Sequence, residues 1–155
     1  MKDRVLETKF RECGYEELCD EDRMLVDAAK EMTGTSYAPY SKFHVGAAIL
    51  MEDGTVVRGS NQENVAYPSG TCAERTACYH ASALHPGKAM KKIAIAAWTD
   101  GDFQSNPISP CGACRQALSE YENLYGKIGV ILYGKSKTYV LDSVGALLPF
   151  AFTEF

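Results

Sequence analysis

A chain of 155 residues, 46% hydrophobic and 23% charged with a formal net charge of −4, suits one soluble domain that buries about 68–70% of its unfolded surface. No apolar run approaches the ~18 residues of a membrane helix, so no membrane partner is expected. Residues 1–31 hold 10 acids and 6 bases and the remainder 10 of each; no basic stripe exists to neutralise a phosphate backbone, so no nucleic-acid partner is expected either.

The start, Met1-Lys2-Asp3-Arg4-Val5-Leu6-Glu7-Thr8, lacks the apolar core of a secretory signal. Six cysteines are too sparse for a disulfide scaffold, and the expected location is the reducing cytoplasm. Residues 1–19 are charged and weakly patterned; residues 1–21 read as an N-terminal extension of undefined structure. Asp20 is placed to cap a helix running to about Met32, with Met24, Leu25, Ala28, Ala29 and Met32 as its apolar stripe. Pro39 then breaks regularity within Ser36–Lys42. Strands are expected over Val45–Met51 and Thr55–Gly59, joined by Asp53-Gly54, a strong hairpin signal. A loop from Asn61 to Thr71 leads to a helix over about Cys72–Leu84. Ile93–Trp98 reads as a buried strand, Gly112–Tyr125 as a helix, and Ile128–Tyr133 and Thr138–Leu141 as strands. Ser143–Leu148 reads as a short final helix stopped by Pro149. This order predicts one α/β domain, a mixed β-sheet covered by helices.

Two segments carry the chemistry: Thr71-Cys72-Ala73-Glu74-Arg75 and Pro110-Cys111-Gly112-Ala113-Cys114-Arg115-Gln116. Each opens a predicted helix after a loop. Residues i and i+3 share a helix face, so Cys111 and Cys114 can hold one ion and Cys72 can complete three ligands. Three protein ligands with an open fourth position is the arrangement of catalytic zinc, whereas structural sites fill all four. Three thiolates on Zn²⁺ leave a net −1, which opposes forming hydroxide on the metal. Two helix N-termini each supply roughly half a positive charge against it, and Arg75, with Arg115, can donate to the sulfurs. Glu74, two residues after Cys72, can reach the fourth-position water and suits a proton shuttle.

Blander readings compete. A lone Cys-x-x-Cys is weak and fits a redox pair or half a four-cysteine structural site. Here a Cys-x-Glu at a second helix start, and no second Cys-x-x-Cys, favour catalytic zinc. Cys13, Cys19, Cys78, His44, His80 and His85 are scattered and read as structural.

These residues resemble the zinc-dependent cytidine deaminase family, in its homotetrameric three-cysteine form. The likeness runs over about residues 22–153, in Tyr37-Ala38-Pro39-Tyr40-Ser41-Lys42-Phe43, Asn61-Gln62-Glu63-Asn64-Val65-Ala66-Tyr67, Cys72-Ala73-Glu74-Arg75-Thr76-Ala77, the Pro110–Gln116 run and Leu147-Leu148-Pro149-Phe150-Ala151-Phe152. The resemblance implies a three-layer α/β fold, with residues 22–155 as the catalytic domain. It implies hydrolytic deamination of cytidine and 2′-deoxycytidine to uridine and 2′-deoxyuridine with release of ammonia, in pyrimidine salvage. One zinc per chain on Cys72, Cys111 and Cys114 would supply a bound hydroxide, and Glu74 would shuttle protons. Phe43, Asn61 and Glu63 match residues that position the nucleoside, the last two at the ribose 3′-hydroxyl. Alone they would read as a core aromatic and a polar loop. Phe152 matches an aromatic that packs on the base in a neighbouring subunit. A homotetramer with shared sites follows, and the terminal Phe150, Phe152 and Phe155 would give a monomer an apolar patch to hide. Phe150 departs from the smaller or aliphatic residues of the pattern.

Two rivals stand beside this reading. A blasticidin-type nucleoside-antibiotic deaminase shares fold and zinc motif, but an aliphatic residue is expected where this chain has Arg75. A non-catalytic zinc-binding interaction module would hold the metal without turnover.

Overall fold

Helix α1 spans Asp20–Met32 in the computed structural model, which describes residues 1–154. Its N-cap is Cys19, with extended backbone and no side-chain bond; Asp20 is instead the first helical residue, where its charge favours the helix N-terminus. The buried face is Leu25, Val26, Ala28 and Ala29. Met24, expected in that stripe, is 48% exposed, because Val26 takes the core side and turns it outward.

Strands β1 (Arg11–Cys13), β2 (His44–Met51), β3 (Val56–Ser60), β4 (Met90–Thr99), β5 (Asp102–Phe103), β6 (Gly129–Leu132) and β7 (Thr138–Leu141) form one mixed sheet. The order is β1-β7-β6-β4-β2-β3, with β5 paired to β4. The hairpin β2–β3 runs in register from Gly46↔Ser60 to Leu50↔Val56, and its turn places Gly54 at φ 86°, a conformation glycine adopts without strain. Central β4 pairs antiparallel with β2 and parallel with β6. A parallel pair needs a crossover, and helix α3 (Gly112–Tyr125) supplies it.

Side-chain alternation in the strands sorts two cores. Ala48, Leu50, Ala94, Ala96 and Ile131 meet α1 on one face. Ala47, Ile49, Ile93 and Ile95 meet helix α2 (Ala73–Leu84) and α3 on the other, through Ala77, Ala81 and Leu118. The expected three-layer α/β architecture is present. Gly59 on β3 lets α2 lie against the sheet: a Cβ there would stand 2.4 Å from the Ala77 nitrogen.

Some elements differ from expectation. The stretch given no structure by its sequence contains β1, paired antiparallel to β7, with Phe10 edge-on to Tyr139 at 4.9 Å. It also brings Tyr15 to Lys30, whose ammonium lies 5.1–5.2 Å from the ring centres of Tyr15, Phe103 and Tyr133. The final helix is a 3-10 turn, Val144–Leu147, started by Ser143, whose side chain accepts from Gly145 N–H at 3.0 Å. Phe155 lies outside the described residues. Among the described residues, no helix is long and apolar enough to cross a membrane.

Candidate active site

Cys72 and Cys111 are the N-caps of α2 and α3. Both have extended backbones, and their carbonyls accept the first helical bonds, from Thr76 and Arg115 at 3.0 Å each. Their side chains therefore project at two helix N-termini, where the local dipoles favour negative charge. Cys114 sits one turn into α3 and is fully buried.

The three sulfurs lie within 4.8 Å of one another. Cys72 and Cys111 are 3.8 Å apart, and Cys111 and Cys114 3.5 Å. These separations are far from a disulfide bond, and all six cysteines are free. A tetrahedral zinc with bonds of about 2.3 Å would set its sulfurs about 3.8 Å apart. The cluster has that size, and its soft donors suit zinc.

The charges agree with such a centre. Hydrogen bonds from Cys114, Arg75 and Cys111 hold the Cys72 thiol down at about 5, while burial acts the other way. Cys114 is pushed up by bonding to Cys72 and by its burial. Negative charge in the metal-free cluster thus gathers on Cys72. Arg75 donates from Nη2 to that sulfur at 3.9 Å. Arg115, also expected to reach the sulfurs, does not: its Nε donates to the Pro110 carbonyl and its Nη1 to the Leu147 carbonyl, each at 2.7 Å. Its guanidinium is drawn away by two main-chain acceptors.

Glu74, in the first turn of α2, is 4% exposed. Burial pushes its carboxyl up to about 7, its own backbone N–H opposes that, and the Cys72 charge raises it further.

Cys72 and Cys111 line a cavity of about 690 Å³, within the size range of small-molecule sites; Cys114 lies buried behind them. Phe43, Asn61, Glu63, Cys72, Glu74, Arg75 and Cys111 all border it. Asn61 is largely committed to its own loop. Its Oδ1 accepts from Val45 N–H at 2.8 Å and from the Ser36 hydroxyl, and its Nδ2 donates to the Phe43 carbonyl at 2.9 Å. One amide hydrogen is left for a ligand, so Asn61 can serve there as a donor. The Glu63 carboxylate accepts from the N–H groups of Tyr40 at 2.9 Å and Ser41 at 3.3 Å. Bonding to Ser41 leads in holding it below the usual carboxylate range.

Phe152 does not border the cavity of its own chain. It is 65% exposed, and its backbone exchanges bonds with Gln116 at 2.7 and 3.3 Å. The cavity also takes Tyr40, Ser41, Tyr67, Ile108 and Ser109, to which no role was given. Tyr40, Ser41 and Tyr67 lie inside motifs already singled out, so proximity to Phe43 and Glu63 could have found them. Ile108 and Ser109 precede the Cys111 turn in an unpatterned loop and gave no signal.

Comparison with known proteins agrees with this geometry. Residues 19–127 match the family described as the cytidine and deoxycytidylate deaminase zinc-binding region. The chain is 43% identical over 131 residues to a cytidine deaminase of Sporosarcina psychrophila, covering 84% of this chain and 90% of that one. It is 40% identical over 140 residues to one of Halalkalibacterium halodurans, covering 84% and 93%. The crystal structure of a cytidine deaminase from Burkholderia pseudomallei superposes with a TM-score of 0.69 at 42% identity, over 83% of this chain and 97% of that one. One from Mycobacterium tuberculosis gives 0.67 at 32% identity, over 88% and 99%. A matched family region over most of the length, relatives of this identity and a three-thiol cluster at the helix starts lead to one conclusion: this chain belongs to the zinc-binding cytidine and deoxycytidylate deaminase family.

Proposed function

We propose that the chain deaminates cytidine and 2′-deoxycytidine hydrolytically, giving uridine and 2′-deoxyuridine plus ammonia, with Cys72, Cys111 and Cys114 holding one zinc. The observation that carries this is a buried carboxylate, Glu74, beside a cluster of three thiols, two of which border a cavity large enough for a nucleoside. Named cytidine deaminases at 40–43% identity support the substrate class.

Zinc, when bound, supplies a Lewis acid that lets water ionise near neutral pH. Glu74 takes the proton of the attacking water and hands it to N3 of the ring as the oxygen joins C4. It then carries the second proton to the amino group, the C4–N bond breaks, and ammonia leaves a C4 carbonyl. One carboxylate acts as base and then as acid, so a single buried group serves both steps. Its enclosure keeps bulk water from competing for those protons. Arg75 holds Cys72 and offsets thiolate charge. Phe43 packs along the nucleoside, Asn61 donates to the ribose, and Glu63 accepts from the 3′-hydroxyl. A carboxylate there also repels a 3′-phosphate, which disfavours 3′-phosphorylated nucleotides and polynucleotides.

The same reading assigns a homotetramer in which Phe152, outside its own cavity, completes a neighbour's site. It assigns cytoplasmic pyrimidine salvage as the setting, in keeping with six free cysteines.

The test combines metal content with an ultraviolet assay on cytidine, 2′-deoxycytidine, cytosine and cytidine 3′-phosphate, with blasticidin as a fifth substrate. Turnover of the first two by protein holding one zinc per chain is the expected result. Bound zinc without any absorbance change would leave an interaction module, and preference for the antibiotic would select the rival deaminase.

A further inference from the structure

We infer that Arg115 is a positioning residue for this reaction, holding the Cys111 turn in register with the chain's last 3-10 turn. The inference rests on the zinc-deaminase reading above. Of the three thiols, Cys114 is buried, Cys72 half-buried and Cys111 exposed. Packing therefore does least for Cys111, and its place depends on the backbone around it. Both carbonyls flanking its Cα end on Arg115. The Arg115 main-chain N–H donates to the Cys111 carbonyl at 3.0 Å, and Nε donates to the Pro110 carbonyl at 2.7 Å.

The other arm of the guanidinium, Nη1, reaches the Leu147 carbonyl at 2.7 Å. That anchor is itself fastened to α3, because the Glu122 carboxylate accepts from the N–H groups of Val144 and Gly145 at 2.8 Å each. The contacts form a closed ring: α3 holds the final turn, the final turn holds Arg115, and Arg115 holds the ligand turn that starts α3. A guanidinium is a rigid plane of donors, so it fixes the separation and angle of two carbonyls. A lysine ammonium is a point charge on a flexible stem and does not.

The test compares Arg115→Ala and Arg115→Lys with the unaltered protein, all zinc-loaded. Three quantities are measured: zinc release to an excess chelator, steady-state kinetics on cytidine, and the melting temperature. Removing a partner that orients a metal ligand typically costs 10–100-fold in metal affinity or activity. Zinc release from Arg115→Ala is therefore expected to be about 10–100-fold faster and kcat about 10–100-fold lower. KM should change less than kcat, because Phe43, Asn61 and Glu63 border the cavity from other elements. Arg115→Lys should fail the same way despite keeping its charge. Millimolar guanidinium should restore part of the kcat of Arg115→Ala and none in the unaltered protein.

Unaltered zinc release and kcat in either variant would overturn the inference. So would a lower melting temperature with normal kcat per zinc-loaded molecule, which assigns Arg115 to stability alone. If Arg115→Ala does not fold, Arg115→Lys decides on the same measurements. An unaltered protein that holds zinc but leaves cytidine unchanged would overturn the deaminase reading first, and this inference with it.

Discussion

Replacing Glu74 with Gln separates turnover from stability in opposite directions. The carboxyl is 4% exposed and sits at about 7 against an ordinary 4.5, chiefly through burial. That difference corresponds to about 3 kcal/mol at roughly 1.4 kcal/mol per pKa unit. Because the folded value is the higher one, the metal-free fold keeps a proton that the unfolded chain gives up. Its stability therefore falls as pH rises from about 4.5 to 7 and stays reduced above that. Glutamine is nearly isosteric and carries no such charge. Metal-free Glu74→Gln should match the unaltered protein at pH 4 and exceed it by up to about 3 kcal/mol at pH 8. For a chain of this length that is about 6–12 °C in melting temperature. Zinc binding should shrink the gap, since the cation offsets the buried charge. Turnover should collapse, because one general acid–base role contributes typically 10²–10⁴-fold and Glu74 serves several proton transfers. The assays are melting in chelator and reductant at both pH values, and absorbance on cytidine after zinc reloading. Equal melting temperatures at pH 8 would refute the burial argument, and near-normal turnover in the zinc-replete variant would end the proton-shuttle role.

Cys114→Ala should lose zinc and melt lower, because two thiolates make a poor site and metal binding couples to folding; one retained zinc per chain would exclude Cys114 as a ligand. Glu63→Gln should raise the KM for cytidine about tenfold, the order expected for weakening a charged hydrogen bond, with less effect on 3′-deoxycytidine; an equal penalty on both would remove Glu63 from the ribose. Gly59→Ala should push α2 off β3, where a Cβ would meet Ala77 at 2.4 Å, costing about 1–3 kcal/mol and weakening zinc retention; a neutral melting curve would contradict that close approach. If the chain forms the proposed tetramer, deleting residues 150–155 should dissociate it and lower turnover with zinc in place; light scattering that shows a fully active monomer of the unaltered chain would sink the shared-site proposal.

The site was legible where chemistry demands adjacent residues. Cys72 with Glu74, and Cys111 with Cys114, are short-range patterns that stand out in one dimension. The hairpin turn and the main helices were legible for the same reason, since capping, periodicity and turn preference are local. What escaped depends on distant partners. Strand β1 is three residues long and exists only because β7 offers it an edge. Arg115 looked available to the sulfurs until Leu147, far along the chain, proved to be its acceptor. Asn61 reads alone as a polar loop residue and by resemblance as a nucleoside contact, and only the fold shows that Ser36, Phe43 and Val45 claim most of its amide. The outward turn of Met24 likewise required knowing which side of α1 meets the sheet.

The pairing of β1 with β7 also bears on the order in which the molecule can assemble. Arg11 is opposite Val140, so a segment made earlier must wait for about 130 further residues to be synthesised before its partner exists. At about 5–20 residues per second that delay is on the order of ten seconds. During it, the segment has no edge to join. Its dense charge, with Lys2, Asp3, Arg4, Glu7, Lys9, Arg11 and Glu12 in the first dozen residues, suits a stretch that spends synthesis in water. Strands β2–β6 can meanwhile pair among themselves, and β1 can join the sheet only after β7 has been made.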